Sequence, residues 1–488
     1  MAITSKDSIL KVLTAYNPWW KTGVVNPKMT KTYKRFAFHE AMKRLNETNI
    51  RRTVVLTGTV VLTGTRRVGK TTIQYQMIDT LLREGVSPQK IVFISMDHPM
   101  LKLSQFQEVL ECYHENIYAN QDTYYFFDEI QYASDWDRWL KIIYDNQPDT
   151  KVVATGSASP ALMKGSRESG AGRWSVIQVP TLSFYEYCEL LELDRPDIPE
   201  KLKATDLLHK TQIERTQIMM QLSKVQNHFM RYLQVGGFPE LALADNDLMA
   251  QQIMREDVVD KVLKRDLPSL YNIRNATELE RIFLYLCNVS SEIISIDAIT
   301  KELNGVSRTT VENYIQYLES ANLIYQSWPV DMAGKKILKA RPKVYIADAA
   351  IRNAVLMDET IMTDPIGMGK VVETAVYKHV TAFYYKFATS VGYFRGGKKN
   401  KEIDVVVDYP KIKNILIEVK YREGAPIADD DAIIEFCDEA SAAIIITKTP
   451  NDFGIHNAPN NKELLRIPAF AFLYLLGNAE KHGYQGIE

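Results

Sequence analysis

Val60-Val61-Leu62-Thr63-Gly64-Thr65-Arg66-Arg67-Val68-Gly69-Lys70-Thr71 is the stretch whose reading decides the fold. Gly64 to Thr71 fits G-x-x-x-x-G-K-[ST], the phosphate-binding loop, with an apolar β-rich run before it and a helix-compatible run, Thr72 to Leu82, after it. In that context the backbone N–H groups of Gly64, Thr65, Arg66, Arg67, Val68 and Gly69, and the helix start through Thr72, would cradle phosphates. Lys70 would reach the β- and γ-phosphates of ATP, and the Thr71 hydroxyl would hold Mg²⁺. The six residues VVLTGT also stand immediately upstream, as Val54 to Thr59. Gly58 has no Gly-Lys pair at the required distance, so the second copy is expected to be the working strand. The first copy is then a duplication that lengthens the strand or its entry.

Working outward, IVFISMD (Ile91 to Asp97), TYYFFDE (Thr123 to Glu129) and KVVATGS (Lys151 to Ser157) read as buried strands separated by helical segments. Such alternation predicts a parallel sheet in an α/β domain. An ATPase needs an acidic strand end to support Mg²⁺ and a base to polarise the attacking water. Asp128 and Glu129, closing an apolar strand, are expected to fill those two roles in that order. Ser157 is the expected γ-phosphate sensor, with Thr155 and Ser159 as rivals. Arg173 lies between a helix and a strand-like run, where it would reach the γ-phosphate of a neighbouring subunit; that role requires a homo-oligomer. Asn17-Pro18-Trp19-Trp20 reads first as packing, with adenine stacking as the alternative.

Composition bounds the rest. A chain of 488 residues is expected to hold several domains of about 100–200 residues. Its net charge of −1 rules out a globally basic surface, so any nucleic-acid contact must come from local patches. Four cysteines without C-x-x-C spacing make neither a zinc knuckle nor a disulfide framework. No apolar signal core and no membrane-length apolar run is present, which points to the cytoplasm.

FFDEIQ, ATGSAS, ESGAGR, VPTLSFYEY and Val235-Gly236-Gly237-Phe238-Pro239-Glu240, in that order, resemble the prokaryotic AAA-type ATPases that carry a C-terminal DUF4143 domain. The NPWW near the start is similar to that family as well. The resemblance implies that Arg173 occupies the arginine-finger position, whereas the doubled VVLTGT departs from the family pattern.

Two further segments carry chemistry. Ile296, Ile299, Leu303, Val311, Ile315 and Leu318 fit the core of a helix-turn-helix. A β wing with Lys335, Lys336, Lys339, Arg341 and Lys343 is expected after it. Ser307, Arg308, Thr309, Asn313 and Gln316 are the candidate groove contacts, and Glu312 and Glu319 dilute their charge. Near the end, Asp404 in EIDVVV and Glu418-Val419-Lys420 in ILIEVK resemble the Asp…Glu-x-Lys arrangement of PD-(D/E)XK nucleases. Strand alternation puts Glu418 and Lys420 on one face. Asp404 and Glu418, with Glu373 from the preceding helix, would share a Mg²⁺, while Lys420 positions water.

The expected architecture is therefore α/β: an N-terminal aromatic segment (1–45), a P-loop AAA-type ATPase (46–195), a helical lid or linker (196–275), a winged helix-turn-helix (276–350) and a restriction-endonuclease-like domain (365–488). ATP and Mg²⁺ are the expected cofactors and nucleic acid, DNA first, the expected partner, with no membrane. The competing reading is a nucleotide-gated switch whose C-terminal domain is catalytically silent and binds a protein. A chaperone-like ATPase is the third class.

Overall fold

The computed structural model describes residues 5–47, 53–58, 68–156, 174–303, 305–330, 340–357, 362–384, 388, 390–396, 400–408, 413–459 and 461–481. The chain forms two compact units, Met1–Pro180 with Ser320–Asn322, and Thr181–Glu319 with Leu323–Glu488.

The first unit is built on a five-stranded parallel sheet of order β2-β3-β4-β1-β5, with β1 Thr53–Gly58, β2 Ile91–Ser95, β3 Tyr124–Asp128, β4 Lys151–Gly156 and β5 Trp174–Val179. All of β2 and nearly all of β3 and β4 are buried. Continuous apolar runs of this kind suit parallel strands covered on both faces. β2 is an edge strand, a place where unpaired backbone groups invite aggregation. Asn17 closes it like a peptide group. Its Nδ2 donates to the Phe93 carbonyl at 2.8 Å, and the Phe93 N–H donates to its Oδ1 at 2.6 Å. Trp19 and Trp20 both donate indole N–H groups to the Ile91 carbonyl, at 3.1 and 2.8 Å. Asn17-Pro18-Trp19-Trp20 is thus an edge cover, with Trp19 meeting Tyr75 edge-on and Trp20 tilted against Tyr113.

One expectation is overturned here. The strand in the sheet is the first VVLTGT copy, with Val54 opposite Val153 and Ser175, and Leu56 opposite Thr155 and Ile177. The second copy lies within residues 59–67, outside the described residues. The two copies have the same residues, and a six-residue shift keeps every side chain on its own face, so alternation cannot choose between them.

The second unit opens at Thr181 and runs through helices Phe184–Leu190, Gln212–Leu222, Phe229–Val235 and Asp247–Arg255, a π-helical segment Glu256–Asp266, and helix Ala276–Asn288. Residues 196–275, expected as a helical lid or linker, lie within this unit. Helices Ile296–Glu302 and Arg308–Ser320 follow, with a three-stranded antiparallel sheet of order β6 (Glu292–Ile293), β8 (Lys343–Ile346), β7 (Ile324–Ser327). Helix Pro365–Tyr384 then leads into a six-stranded mixed sheet of order β13-β14-β12-β11-β10-β9. Its strands are β9 Ser390–Gly396, β10 Lys401–Asp408, β11 Ile415–Val419, β12 Ala442–Thr447, β13 Gly454–Asn457 and β14 Glu463–Pro468. Helix Ala469–Lys481 is buried from Ala469 to Ala479.

A buried polar hub ties the start of this unit to its centre. The Lys378 ammonium donates to Asp348 Oδ2 at 2.7 Å, to the Leu182 carbonyl at 2.8 Å and to Tyr232 Oη at 2.9 Å. Thr181 Oγ1 donates to the same Asp348 oxygen at 2.7 Å. The Phe184 N–H donates to His379 Nε2, so that nitrogen is unprotonated. Burial, with Lys378 beside it, holds the ring neutral, well below its ordinary pKa. A Cβ on Gly237 would lie 2.1 Å from Asp348 Oδ2, which explains the glycine of VGGFPE. The TLSFYEY and VGGFPE motifs are therefore packing devices around one ion pair. Removing a single partner strands a buried charge: Lys378→Met is expected to cost about 3–5 kcal/mol in denaturant unfolding. A loss below about 1 kcal/mol would show the pair to be dispensable.

Candidate functional site

The first site stands at the carboxyl ends of β3 and β4. Gly69, at φ +87, turns the chain in a left-handed conformation that favours glycine, and Lys70 starts the Lys70–Arg83 helix. The Thr71 hydroxyl lies 3.2 Å from both carboxylate oxygens of Asp128. From β4, Thr155 Oγ1 donates to Asp128 Oδ1 at 2.5 Å and accepts the Glu129 N–H at 3.0 Å. Glu129 has φ +51, a costly conformation for a non-glycine residue, and its Oε2 accepts from Gln131 Nε2 at 2.5 Å. Burial pushes the Asp128 carboxyl up to about 7, with Glu129 adding to it and Thr155 and Lys70 opposing. A buried carboxylate beside a hydroxyl is a hard-oxygen donor pair that fits Mg²⁺.

Lys70, Thr71, Asp128 and Glu129 are thus brought together, and Val68 and Gly69 lead into them. Gly64, Thr65, Arg66, Arg67, Ser157 and Arg173 lie outside the described residues. Sequence reading missed three supports of this site. Arg35, thirty-three positions upstream and buried, donates from Nη1 to the Val68 carbonyl at 2.7 Å. Gln74 Nε2 bonds the carbonyls of Phe127 at 3.0 Å and Val153 at 3.4 Å, tying the helix to β3 and β4. Gln131 was readable only as part of FFDEIQ.

On the helix–turn–helix pair, Ser307, Arg308, Thr309, Asn313 and Gln316 share an exposed face while Val311, Ile315 and Leu318 are buried. The Arg308 guanidinium is already engaged by Glu312 at 2.9 Å and Asp297 at 2.5 Å. Lys335, Lys336 and Lys339 fall outside the described residues.

The second cluster joins helix Pro365–Tyr384 to β8, β10 and β11. Antiparallel pairing of β10 with β11 sets Asp404 beside Glu418, and the Val419 N–H donates to Asp404 Oδ2 at 2.8 Å. Lys343, from β8, was expected as an exposed wing contact and is instead buried. A lysine head at a strand position facing the next layer finds carboxylates there rather than water. Its ammonium lies 2.9 Å from Glu373 and 3.3 Å from Asp404, and contacts Glu402 as well. Burial would lower the Lys343 ammonium, but Tyr345, Glu373, Asp404 and Glu402 hold it well above the ordinary lysine value. Lys420 bridges Glu418 at 3.3 Å and Asp431 at 3.1 Å, and Lys401 joins Asp430 and Asp431. Burial, then repulsion by Asp404, raises Glu373 to about 7 and Glu418 well above the carboxylate range. Lys343, Glu402 and Asp431 carry no motif that announces them. Among the described residues no group of three His, Cys, Asp or Glu side chains is gathered tightly enough to hold a metal.

A glycine–lysine helix start facing a buried Asp-Glu strand end, in a parallel sheet of this order, defines a P-loop ATPase. The chain is an AAA-type P-loop ATPase with a C-terminal DUF4143 domain: residues 56–188 match an AAA domain and 368–470 match that domain of unknown function. A further domain of unknown function, DUF8612, matches residues 226–361. An uncharacterized protein of Methanocaldococcus jannaschii is 24% identical over 82% of this chain and 82% of its own length. One from Haemophilus influenzae is 25% identical over 60% and 68%. Among solved structures, the Walker-type ATPase of Pyrococcus abyssi aligns at 15% identity and TM-score 0.37, over 67% of this chain and 97% of that one. The Aeropyrum pernix ORC1 protein, solved in complex with DNA, aligns at 13% identity and TM-score 0.30, over 66% and 91%. No helix among the described residues is long and apolar enough to cross a membrane.

Proposed function

We propose that this protein is a Mg²⁺-dependent ATPase whose nucleotide cycle controls engagement of nucleic acid by its second unit. The observation that carries the reading is the hydrogen-bonded chain from Thr71 through Asp128 and Thr155 to Glu129. Asp128 and Thr71 would hold Mg²⁺, Lys70 the phosphates, and Glu129 would orient and deprotonate water. Bound Mg²⁺ would offset the charge that developing phosphate oxygens carry. Arg173 would act across subunits of a homo-oligomer, with Ser157 sensing the γ-phosphate. In the second unit, helices Ile296–Glu302 and Arg308–Ser320 with β6–β8 form the winged helix, and residues 365–488 the restriction-endonuclease-like domain.

One observation favours the second reading, a switch with a silent C-terminal domain that binds a protein: the ammonium of Lys343 sits among the acids expected to bind metal. Labelled duplex DNA titrated by anisotropy, with and without Mg²⁺-ATP and at rising salt, separates the two. ATP is expected to change the affinity about tenfold, with log K falling linearly against log salt, and Lys70→Ala should abolish the ATP effect. DNA binding that is absent in every nucleotide state would sink the nucleic-acid reading.

A further inference from the structure

Against one face of the six-stranded sheet the second unit holds a cavity of about 210 Å³. β11 and β12 form its floor through Ile417 and Ile444, and strand alternation sends Leu416 and Ile445 into the core on the opposite face. Phe472 of helix Ala469–Lys481 and Phe383, near the end of helix Pro365–Tyr384, stand as its walls. Protein interiors are packed as tightly as organic crystals, and voids larger than a water molecule are few. This one persists because Ala204, Ala442 and Ala479, all buried, line it where larger apolar side chains would fill it. A dry apolar cavity of about 150 Å³ takes up benzene. The volume here therefore suits a single ring with a short tail, or a compact alkyl chain.

The polar part of the lining has one chemical character. It consists of Lys203, Thr205, His209, Tyr384 and Ser441, with no carboxylate among the described residues that line the cavity. Asp206, on the same 3-10 turn as Thr205 and His209, is engaged by the Lys203 N–H at 2.8 Å, and the Ser441 hydroxyl donates to the Asn414 carbonyl at 3.1 Å. The Thr205 hydroxyl and the exposed His209 ring make no hydrogen bond among the described residues. An ammonium, a hydroxyl and an imidazole within seven residues offer donors at the edge of an apolar space. The group that answers them is an acceptor, and an anionic one gains most.

We propose that this cavity is a binding site for a compact monocarboxylic acid, with its ring or alkyl chain in the apolar interior and its carboxylate at Lys203, Thr205 and His209. A bound acid joins the 203–209 segment to the sheet and to the last helix. The site is separate from the nucleotide chemistry of the first unit. It is also separate from Glu418 and Lys420, which alternation places on the Leu416 face of β11.

The test is calorimetric titration of the full chain with octanoate and 3-phenylpropanoate, beside acetate, 1-octanol and octylamine. At least one of the two larger acids is expected to bind one-to-one and to raise the melting temperature. Acetate, which has the head without the body, should bind at least about a hundredfold more weakly. Octylamine, with the charge reversed, should lose at least about tenfold. Ala442→Leu or Ala479→Leu fills the cavity and should abolish binding without lowering the melting temperature. Thr205→Ala combined with His209→Ala should weaken the acid about tenfold and leave 1-octanol unchanged. Should the filled variants fail to fold, this pair, on the 3-10 turn, carries the comparison. Failure of both acids to bind overturns the proposal, as does binding that survives in a folded, filled variant or is unmoved in the Thr205–His209 pair. 1-Octanol binding as tightly as the better acid overturns the carboxylate assignment.

Discussion

Glu129→Gln is expected to leave ATP binding near its original strength and to lower hydrolysis about 10²- to 10⁴-fold, the usual range for loss of a positioned general base. The geometry separates the two adjacent acids. Asp128 is engaged by the Thr71 and Thr155 hydroxyls, and on the proposed reading it serves the metal side. Glu129 is turned by its positive φ, with its backbone N–H held by Thr155 and its carboxylate by Gln131. Glutamine keeps the shape and the Gln131 neighbour but cannot take a proton. Equilibrium binding of a fluorescent ATP analogue, run beside phosphate release, reads the two effects apart. Hydrolysis at the unsubstituted rate would mean that another group, or water alone, serves as base. A parallel loss of binding would place Glu129 in nucleotide affinity instead.

The second large effect concerns the repeat. Deleting residues 54–59 or residues 60–65 yields the same protein, in which one VVLTGT runs directly into Arg66-Arg67-Val68-Gly69-Lys70. In the present chain the paired strand ends at Gly58, twelve positions before Lys70, whereas Gly64 stands six before it. A phosphate cradle works when the strand delivers the loop glycine straight to the helix start, and an ångström of misplacement can cost about a hundredfold. The deletion is therefore expected to raise kcat/KM for ATP by about ten- to a hundredfold. Steady-state hydrolysis over a range of ATP concentrations checks it. Equal or lower kcat/KM in a folded deletion would show that the extra six residues are accommodated, or are needed, at the site.

The central strands of the first unit were legible because β2, β3 and β4 are continuous buried apolar runs, with Asp128 closing β3 and Thr155 near the end of β4. A parallel sheet buried on both faces imposes that pattern on the sequence. The helix pair at 296–320 was legible for the same reason, through its spaced apolar residues. Asp404, Glu418 and Lys420 were readable because strand alternation puts them on one face.

What remained hidden depends on partners far apart in the chain. Arg35 under the phosphate loop, Asn17 on the β2 edge, and the pairing of Lys378 with Asp348 leave no local periodicity, since a buried polar contact needs only two groups that the fold brings together. Lys343 shows this most clearly. Beside other lysines after a helix-turn-helix it reads as a wing contact with phosphate, yet its carboxylate partners arrive from thirty to sixty-one residues downstream. The choice between the two VVLTGT copies was equally beyond local reading. By itself the sequence determined which elements form, and where nucleotide chemistry is placed. Only the tertiary structure decided which copy enters the sheet and which lysine faces which acid, because identical segments and equal charges differ only in what the folded chain sets beside them.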